Sequence, residues 1–482
     1  MSKKNLAKNY LYNVAYEILA IIMPLITTPY LSRVLQAEKI GVYSYTLSVV
    51  TYFVLVGSLG VALYGKREIA YVQEDLKKRS QIFIEIFLLR LISTSLSMLA
   101  FFLAFCLEGE YSLYYKILLI EILGSIFDIS WFYQGVENFK RTALRSSVIK
   151  ILSTISVFLF VKTPDDLWIY FIIHVASVLF GNLLLWLKLT RYIDIGQIKK
   201  INIKKHLKPT LILFIPQIAT QIYTILDKTM LGGIIIDKAE VGYYEQTQKV
   251  IKLLMTLATS VGTVMMPRIA ATYSKGETEK IKQYILKSAS FIAMIAFPMT
   301  FGLISIAWHF VPIFYGDGFG KVAPLVCIIS PIIVLIGLSN VIGTQYLLPT
   351  KQQKKYTLSV LCGAAVNFIL NLLLIPNYAS IGASIATVFA ELAVTATQFW
   401  LVRKQISFTL IIKNTIHYFL AAIPMFIFSF TISLCIENHI FSLVIQGITS
   451  ILVYAITLYA LHDRSILFVV DRIKHKFVKL HT

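Results

Sequence analysis

Two lysines, Lys249 and Lys252, lie inside an apolar stretch, VGYYEQTQKVIKLLMTLATSVGTVMMPRIA (241–270). Their three-residue spacing puts both on one face of a helix. The stretch before it, PQIATQIYTILDKTMLGG (216–233), carries Asp227 and Lys228 in the same way. A lysine or aspartate at the centre of a membrane helix costs about 2.5–3.5 kcal/mol on insertion scales, so four in succession imply a polar interior that they face. Two lysines on one face make an anion site. Gln246 and Gln248 lie beside them. Asp227 and Lys228 are adjacent and point about 100° apart on a helix, so one of them lines the cavity rather than both. No GxxxxGK[ST] nucleotide loop accompanies these charges, and neither HExxH nor GxSxG occurs, which argues against ATP use and hydrolytic chemistry on this chain.

The elements that must hold these side chains are membrane helices. Of 482 residues, 57% are hydrophobic and 15% charged, against about 25% charged in a soluble domain. Apolar runs predict an all-α polytopic membrane protein with fourteen spans, near 10–32, 40–64, 81–107, 113–133, 146–162, 167–190, 209–232, 241–267, 285–310, 322–348, 357–376, 381–402, 412–435 and 441–461. The net charge of +20 suggests nucleic acid only in a soluble protein. With the amino terminus placed inside, most of the 45 Lys and Arg fall in inside connections, whereas the outside connections are short and acidic, so both termini are expected in the cytoplasm. Basic runs such as Lys199-Lys200 and Lys204-Lys205 then read as a solvated face near anionic lipid headgroups. The four cysteines lack CxxC spacing and read as small core residues.

The chain also repeats itself. Gly41-Val-Tyr43 recurs as Gly242-Tyr-Tyr244 and Arg67-Glu-Ile-Ala70 as Arg268-Ile-Ala270, each about 200 residues later, a period that fits a duplicated half rather than a solenoid. The expected organisation is a six-helix half over 1–190, a connecting loop over 191–208 and a second six-helix half over 209–402. Two extra helices and a basic tail follow over 403–482. Six spans per half relate the halves by a pseudo-two-fold along the membrane normal, with a substrate site between them and alternating access by rocking. Pro24 and Pro216 stand in equivalent first spans and are the candidate hinges, simple kinks being the alternative.

Other buried polar residues carry open readings. Arg33, at a span end, either contacts substrate or snorkels to the interface. Arg90, near mid-span, either pairs with Glu121 or Glu17 or lines the cavity. Asp128 is placed to order the loop after it, and His174 reads as a core histidine. Lys249 and Lys252 look short of acidic partners, the intramembrane acids in that half being counted as Asp227 and Glu391. Glu391 and the Asn367/Asn371 pair either bind a coupling cation or join helices.

These residues resemble a known family, the Wzx-type polysaccharide repeat-unit flippases of the multidrug/oligosaccharidyl-lipid/polysaccharide exporter superfamily. The resemblance rests on Pro29-Tyr-Leu-Ser-Arg33-Val-Leu35, Gly41-Val-Tyr43, Arg67-Glu-Ile-Ala70, Asp128-Ile-Ser-Trp-Phe-Tyr-Gln-Gly-Val-Glu137, Asp227-Lys228 through Gly232, Val241-Gly-Tyr-Tyr244 to Pro267-Arg268, and Ile381-Gly-Ala-Ser-Ile-Ala386 with Glu391. The family's usual glycine after the Ser-Arg-Val-Leu run is here Gln36. The resemblance implies a non-enzymatic transporter in a bacterial cytoplasmic membrane. It would move an undecaprenyl-diphosphate-linked oligosaccharide to the outer leaflet through a cationic cavity, for capsule, O-antigen or exopolysaccharide synthesis.

On this reading Lys249, Lys252, Lys228, Arg33 and Arg90 meet the substrate, and Tyr223, Tyr243, Tyr244 and Trp131 meet its sugars. Asp227, Glu391 and Asp128 are the candidates for binding H⁺ or Na⁺, with no other cofactor and no metal. Expected partners are the lipid-linked substrate, anionic lipids, and the polymerase and glycosyltransferases of the same route, with the protein itself a monomer. Alternatives are a multidrug or toxin antiporter, which would need a pocket for cations, a lipid II flippase, or a non-transporting scaffold of a glycan assembly complex.

Overall fold

The computed structural model describes residues 3–194, 196, 201–463, 466 and 467; among helical residues, the side chains of 3–15, 17, 215–217, 219, 220, 222 and 223 lie outside that description. Glu17, Pro216 and Tyr223 are thus outside the described side chains. Among the described residues all regular structure is helical, without strands, as a chain surrounded by hydrocarbon requires: each backbone N–H and C=O must be satisfied within its own segment.

Fifteen α-helices follow in order: α1 Lys3–Ser58, α2 Val61–Tyr71, α3 Leu76–Phe101, α4 Ser112–Ile126, α5 Ser130–Gly135, α6 Phe139–Phe160, α7 Leu167–Trp186, α8 Lys204–Ile234, α9 Ala239–Ser274, α10 Thr278–Tyr315, α11 Val322–Ile329, α12 Ile332–Ile342, α13 Gln353–Val402, α14 Phe408–Cys435 and α15 His439–Ala460. Ten helical stretches among the described residues are long and apolar enough to cross a membrane, which makes this a multi-pass membrane protein. Two of the ten each hold two of the spans read from sequence. The stretch in α1 breaks at Gln36 (φ 61, ψ 175), and α13 breaks at Ala379 (φ 47, ψ −125). Both breaks fall between the paired apolar runs.

The chain separates into two compact units, Met1–Gly242 and Tyr243–Thr482. In the first, hydroxyl and amide side chains join helices at their carbonyls, the usual glue where lipid supplies no hydrophobic drive. Thr94 and Ser97 of α3 donate to the Gly57 and Phe53 carbonyls of α1 at 3.0 and 2.7 Å. Asn182 of α7 donates to the Gly124 carbonyl of α4 at 2.9 Å. A cluster of buried apolar residues, with Phe83, Trp131 and Phe132 at its centre, packs α2, α3 and α5 with the end of α7. In the second unit Ser305 and Ser429 join α10 to α14 at 2.8 Å, and Thr395 of α13 donates to the Leu335 carbonyl of α12 at 3.1 Å.

Glu85 of α3 is fully buried and gathers the segment that follows the first half. Its carboxylate accepts from the Asn202 N–H at 2.8 Å, meets Lys205 Nζ at 2.6 Å and His206 Nε2 at 2.9 Å, while His206 Nδ1 lies 2.7 Å from the Tyr64 hydroxyl. Lys205, read from sequence as part of a solvated basic face, is therefore half-exposed with its ammonium on a buried carboxylate.

Candidate functional site

In the first unit, α3 carries Arg90 into the interior, where it is 4% exposed. Its Nη1 donates to the Asp128 carbonyl at 3.0 Å and its Nη2 lies 3.7 Å from Asp128 Oδ2. Among the described side chains the partner is thus Asp128 rather than the Glu121 that the sequence offered, Glu17 lying outside them: the chain between α4 and α5 turns Asp128 back toward α3. The other carboxylate oxygen of Asp128 accepts from the Ser130 N–H at 3.0 Å, which starts α5 and matches the loop-ordering role read for it. Glu121 instead stands 3.4 Å from His174 Nε2, and the His174 ring meets Tyr43 edge-on.

Asp227 on α8 is buried, and Lys228 next to it is half-buried. One residue beyond Lys228 the Thr229 hydroxyl of α8 donates to Ser48 Oγ of α1 at 2.9 Å. Arg33 is exposed and runs back along its own helix, Nη1 donating to the Pro29 carbonyl at 3.0 Å. Trp131, considered for sugar stacking, is 1% exposed in the apolar cluster, its ring stacked on Phe83 and against the backbone of Gly65, where no ligand reaches its face.

In the second unit, Lys249 and Lys252 stand on α9, half-buried and exposed respectively. Glu245, one turn before Lys249, places its carboxylate 3.8 Å from Lys249 Nζ. The count of acids near these lysines from sequence omitted Glu245; the i,i+4 Glu-to-Lys spacing was the signal that could have found it. Above them α9 is anchored by a polar chain in which Gln248 Nε2 donates to the Tyr244 hydroxyl at 2.8 Å, and that hydroxyl lies 2.8 Å from Thr387 Oγ1 of α13. Glu391 is 9% exposed, and Asn367 and Asn371 are fully buried, Asn371 donating to Asn367 at 3.1 Å. Glu391 lies beyond the break at Ala379 from the two asparagines.

A further polar surface was not read from sequence. Arg145 precedes the 146–162 apolar run and Lys150 lies at its start. The helix begins at Phe139, several residues before that run, so both belong to α6 and line a cleft with α1 and α7. Pro24, the candidate hinge, lines the same cleft.

The family described as "Polysaccharide biosynthesis protein" matches residues 6–273. A protein of Escherichia coli (strain K12) named as an O-antigen transporter is 24% identical over 412 residues, 83% of this chain and 98% of that protein. Among solved structures, lipid II flippase MurJ in its inward closed conformation is similar with a TM-score of 0.75 at 20% identity, covering 96% of this chain and 100% of that one. An inward-facing multidrug resistance MATE family transporter of the MOP superfamily is similar with a TM-score of 0.62 at 14% identity, covering 82% of this chain and 94% of that one. Both likenesses show a shared fold.

Proposed function

The chain belongs to the polysaccharide biosynthesis protein family, and on that premise we propose that it is a flippase for an undecaprenyl-diphosphate-linked oligosaccharide. It moves this lipid from the cytoplasmic to the outer leaflet of a bacterial cytoplasmic membrane, with both its termini in the cytoplasm. The relative named as an O-antigen transporter supports a polysaccharide building block as cargo. The observation that carries the reading is the pair of cations on α9. Lys249 and Lys252 share a helix face within a stretch apolar enough to span the membrane. A diphosphate is the part of such a cargo that needs them, and the sugars need the hydroxyls and amides around them.

Glu245 stands 3.8 Å from Lys249 Nζ, and an incoming diphosphate would compete with that carboxylate for the ammonium. Lys228, Arg33 and Arg90 complete the proposed set of cations. Arg90, engaged by Asp128, acts in it by positioning. Coupling to H⁺ or Na⁺ falls to Asp227 and Glu391, both buried carboxylates. Neutralising either would shift the population between inward- and outward-open states. Pro24 and Pro216 are the proposed hinges of that exchange.

The test is translocation of a labelled undecaprenyl-diphosphate oligosaccharide in proteoliposomes. Lys249→Ala with Lys252→Ala, at the wild-type level of folded protein, is expected to abolish it. Undiminished translocation by the double variant would overturn the assignment of these lysines, and no translocation by the wild-type protein would overturn the function.

A further inference from the structure

The cleft between α1, α6 and α7 has a volume of about 540 Å³, and its described lining belongs wholly to the first unit. Its described lining includes Arg145, Lys150, His174, Asn182 and Tyr16, and no described lining residue is an acid. Arg145 puts Nη1 on the neutral Asn182 Oδ1 at 2.9 Å, and its Nε is buried without a hydrogen-bond partner. Asp128, the acid that acts on Arg145 from nearby, is engaged by Arg90. Among the described residues Lys150 Nζ meets a backbone carbonyl, that of Ala20, at 3.3 Å. Glu121 Oε2 stands 3.4 Å from His174 Nε2. Two cations therefore face one cleft with neutral partners among the described residues, an arrangement that calls for an anionic ligand.

A second observation says what kind. On the outer side of the same two helices an apolar groove of about 670 Å³ runs along α6 and α7, past Leu152, Phe160, Ile172 and Phe180. Ile149, Ser153 and Ser177 line both cleft and groove, so the two adjoin through the α6–α7 seam. A soluble anion has no use for that groove. Basic pockets between membrane helices that open on hydrocarbon hold lipid headgroups.

We propose that the α1–α6–α7 cleft is a binding site for the phosphate group of a membrane lipid, held by Arg145 and Lys150, with the lipid's chain lying in the α6–α7 groove. The site stands whatever the protein transports. Its occupation also bears on Pro24, since a phosphate that draws Lys150 away removes a donor from the Ala20 carbonyl in the turn that Pro24 interrupts.

Native mass spectrometry of the purified full-length protein tests this with three probes: phosphatidylglycerol, undecaprenyl diphosphate and uncharged diacylglycerol. Wild-type protein is expected to retain the two phosphate lipids and not diacylglycerol. Losing two charge-assisted hydrogen bonds in Arg145→Gln with Lys150→Gln should weaken retention by about tenfold or more. Ser153→Phe, which fills the seam and keeps both charges, should weaken it as well and serves if the charge variant does not fold. Stronger retention of undecaprenyl diphosphate would make the ligand a polyprenyl lipid, and stronger retention of phosphatidylglycerol a bilayer lipid; either supports the site. Unchanged retention of both phosphate lipids by a folded variant, or equal retention of diacylglycerol, would overturn it.

Discussion

Gly41 and Gly242, the paired glycines of the internal repeat, pack reciprocally. A methyl group on Gly41 would fall 1.7 Å from the Lys238 carbonyl oxygen, and one on Gly242 would fall 2.0 Å from the Ala37 carbonyl oxygen. Each glycine thus abuts the carbonyl four residues ahead of the other, in a contact between backbones that cannot swing aside. Gly41→Ala and Gly242→Ala should each destabilise the protein by about 1–3 kcal/mol, the usual range for overpacking. Gly302→Ala, whose added carbon meets only the end of Met425 at 4.0 Å, should be nearly neutral. Thermal unfolding in detergent, followed by the fraction eluting as a monodisperse peak, compares the three; equal midpoints would refute the contact.

Gln36 occupies a conformation (φ 61, ψ 175) that is essentially restricted to glycine, and holding another residue there costs on the order of 1–3 kcal/mol. Gln36→Gly should therefore raise the unfolding midpoint in the same assay. A lowered midpoint would mean that the glutamine side chain contributes more than its backbone costs.

Pro24 has no N–H to give to the carbonyl four residues back, and that carbonyl, Ala20, receives Lys150 Nζ at 3.3 Å. The pattern recurs at Pro298, where the Met294 carbonyl receives the Tyr454 hydroxyl at 3.0 Å. Pro24→Ala restores the helical donor, so Lys150→Met should cost less stability in that background than in the wild type. A double-mutant cycle is expected to show coupling of about 0.5–3 kcal/mol. Strict additivity would show that the two residues act separately.

Breaking the Arg90–Asp128 pair leaves a buried guanidinium without its carboxylate, so Asp128→Leu should destabilise by about 3–5 kcal/mol. Arg90→Leu with Asp128→Leu removes the stranded charge and should recover much of that loss. If the double variant is folded and still translocates lipid-linked oligosaccharide, Arg90 is a structural residue. If it is folded and inactive, the pair positions the pathway.

Membership of the membrane class and the all-helical architecture were legible because each depends on residues near one another in the chain. Hydrocarbon permits only internally bonded segments, so apolar runs and the residues that interrupt them give the elements directly. The Gly41/Gly242 motif and the Ser-Arg-Val-Leu run were readable for the same reason, as was the departure at Gln36. Its physical meaning needed the backbone, since the sequence does not say that this position is left-handed. The charges were legible as residues that need a reason, but not as pairs. Arg90 had several acids within reach on paper, and only the turn between α4 and α5 selects Asp128. Arg145 and Lys150 sit before and at the start of the 146–162 apolar run, whereas the helix starts earlier, at Phe139. Which donor meets the Ala20 carbonyl, and which cations share a cleft, depends on how α1, α6 and α7 pack, a matter of contacts between residues more than a hundred positions apart that no local pattern encodes.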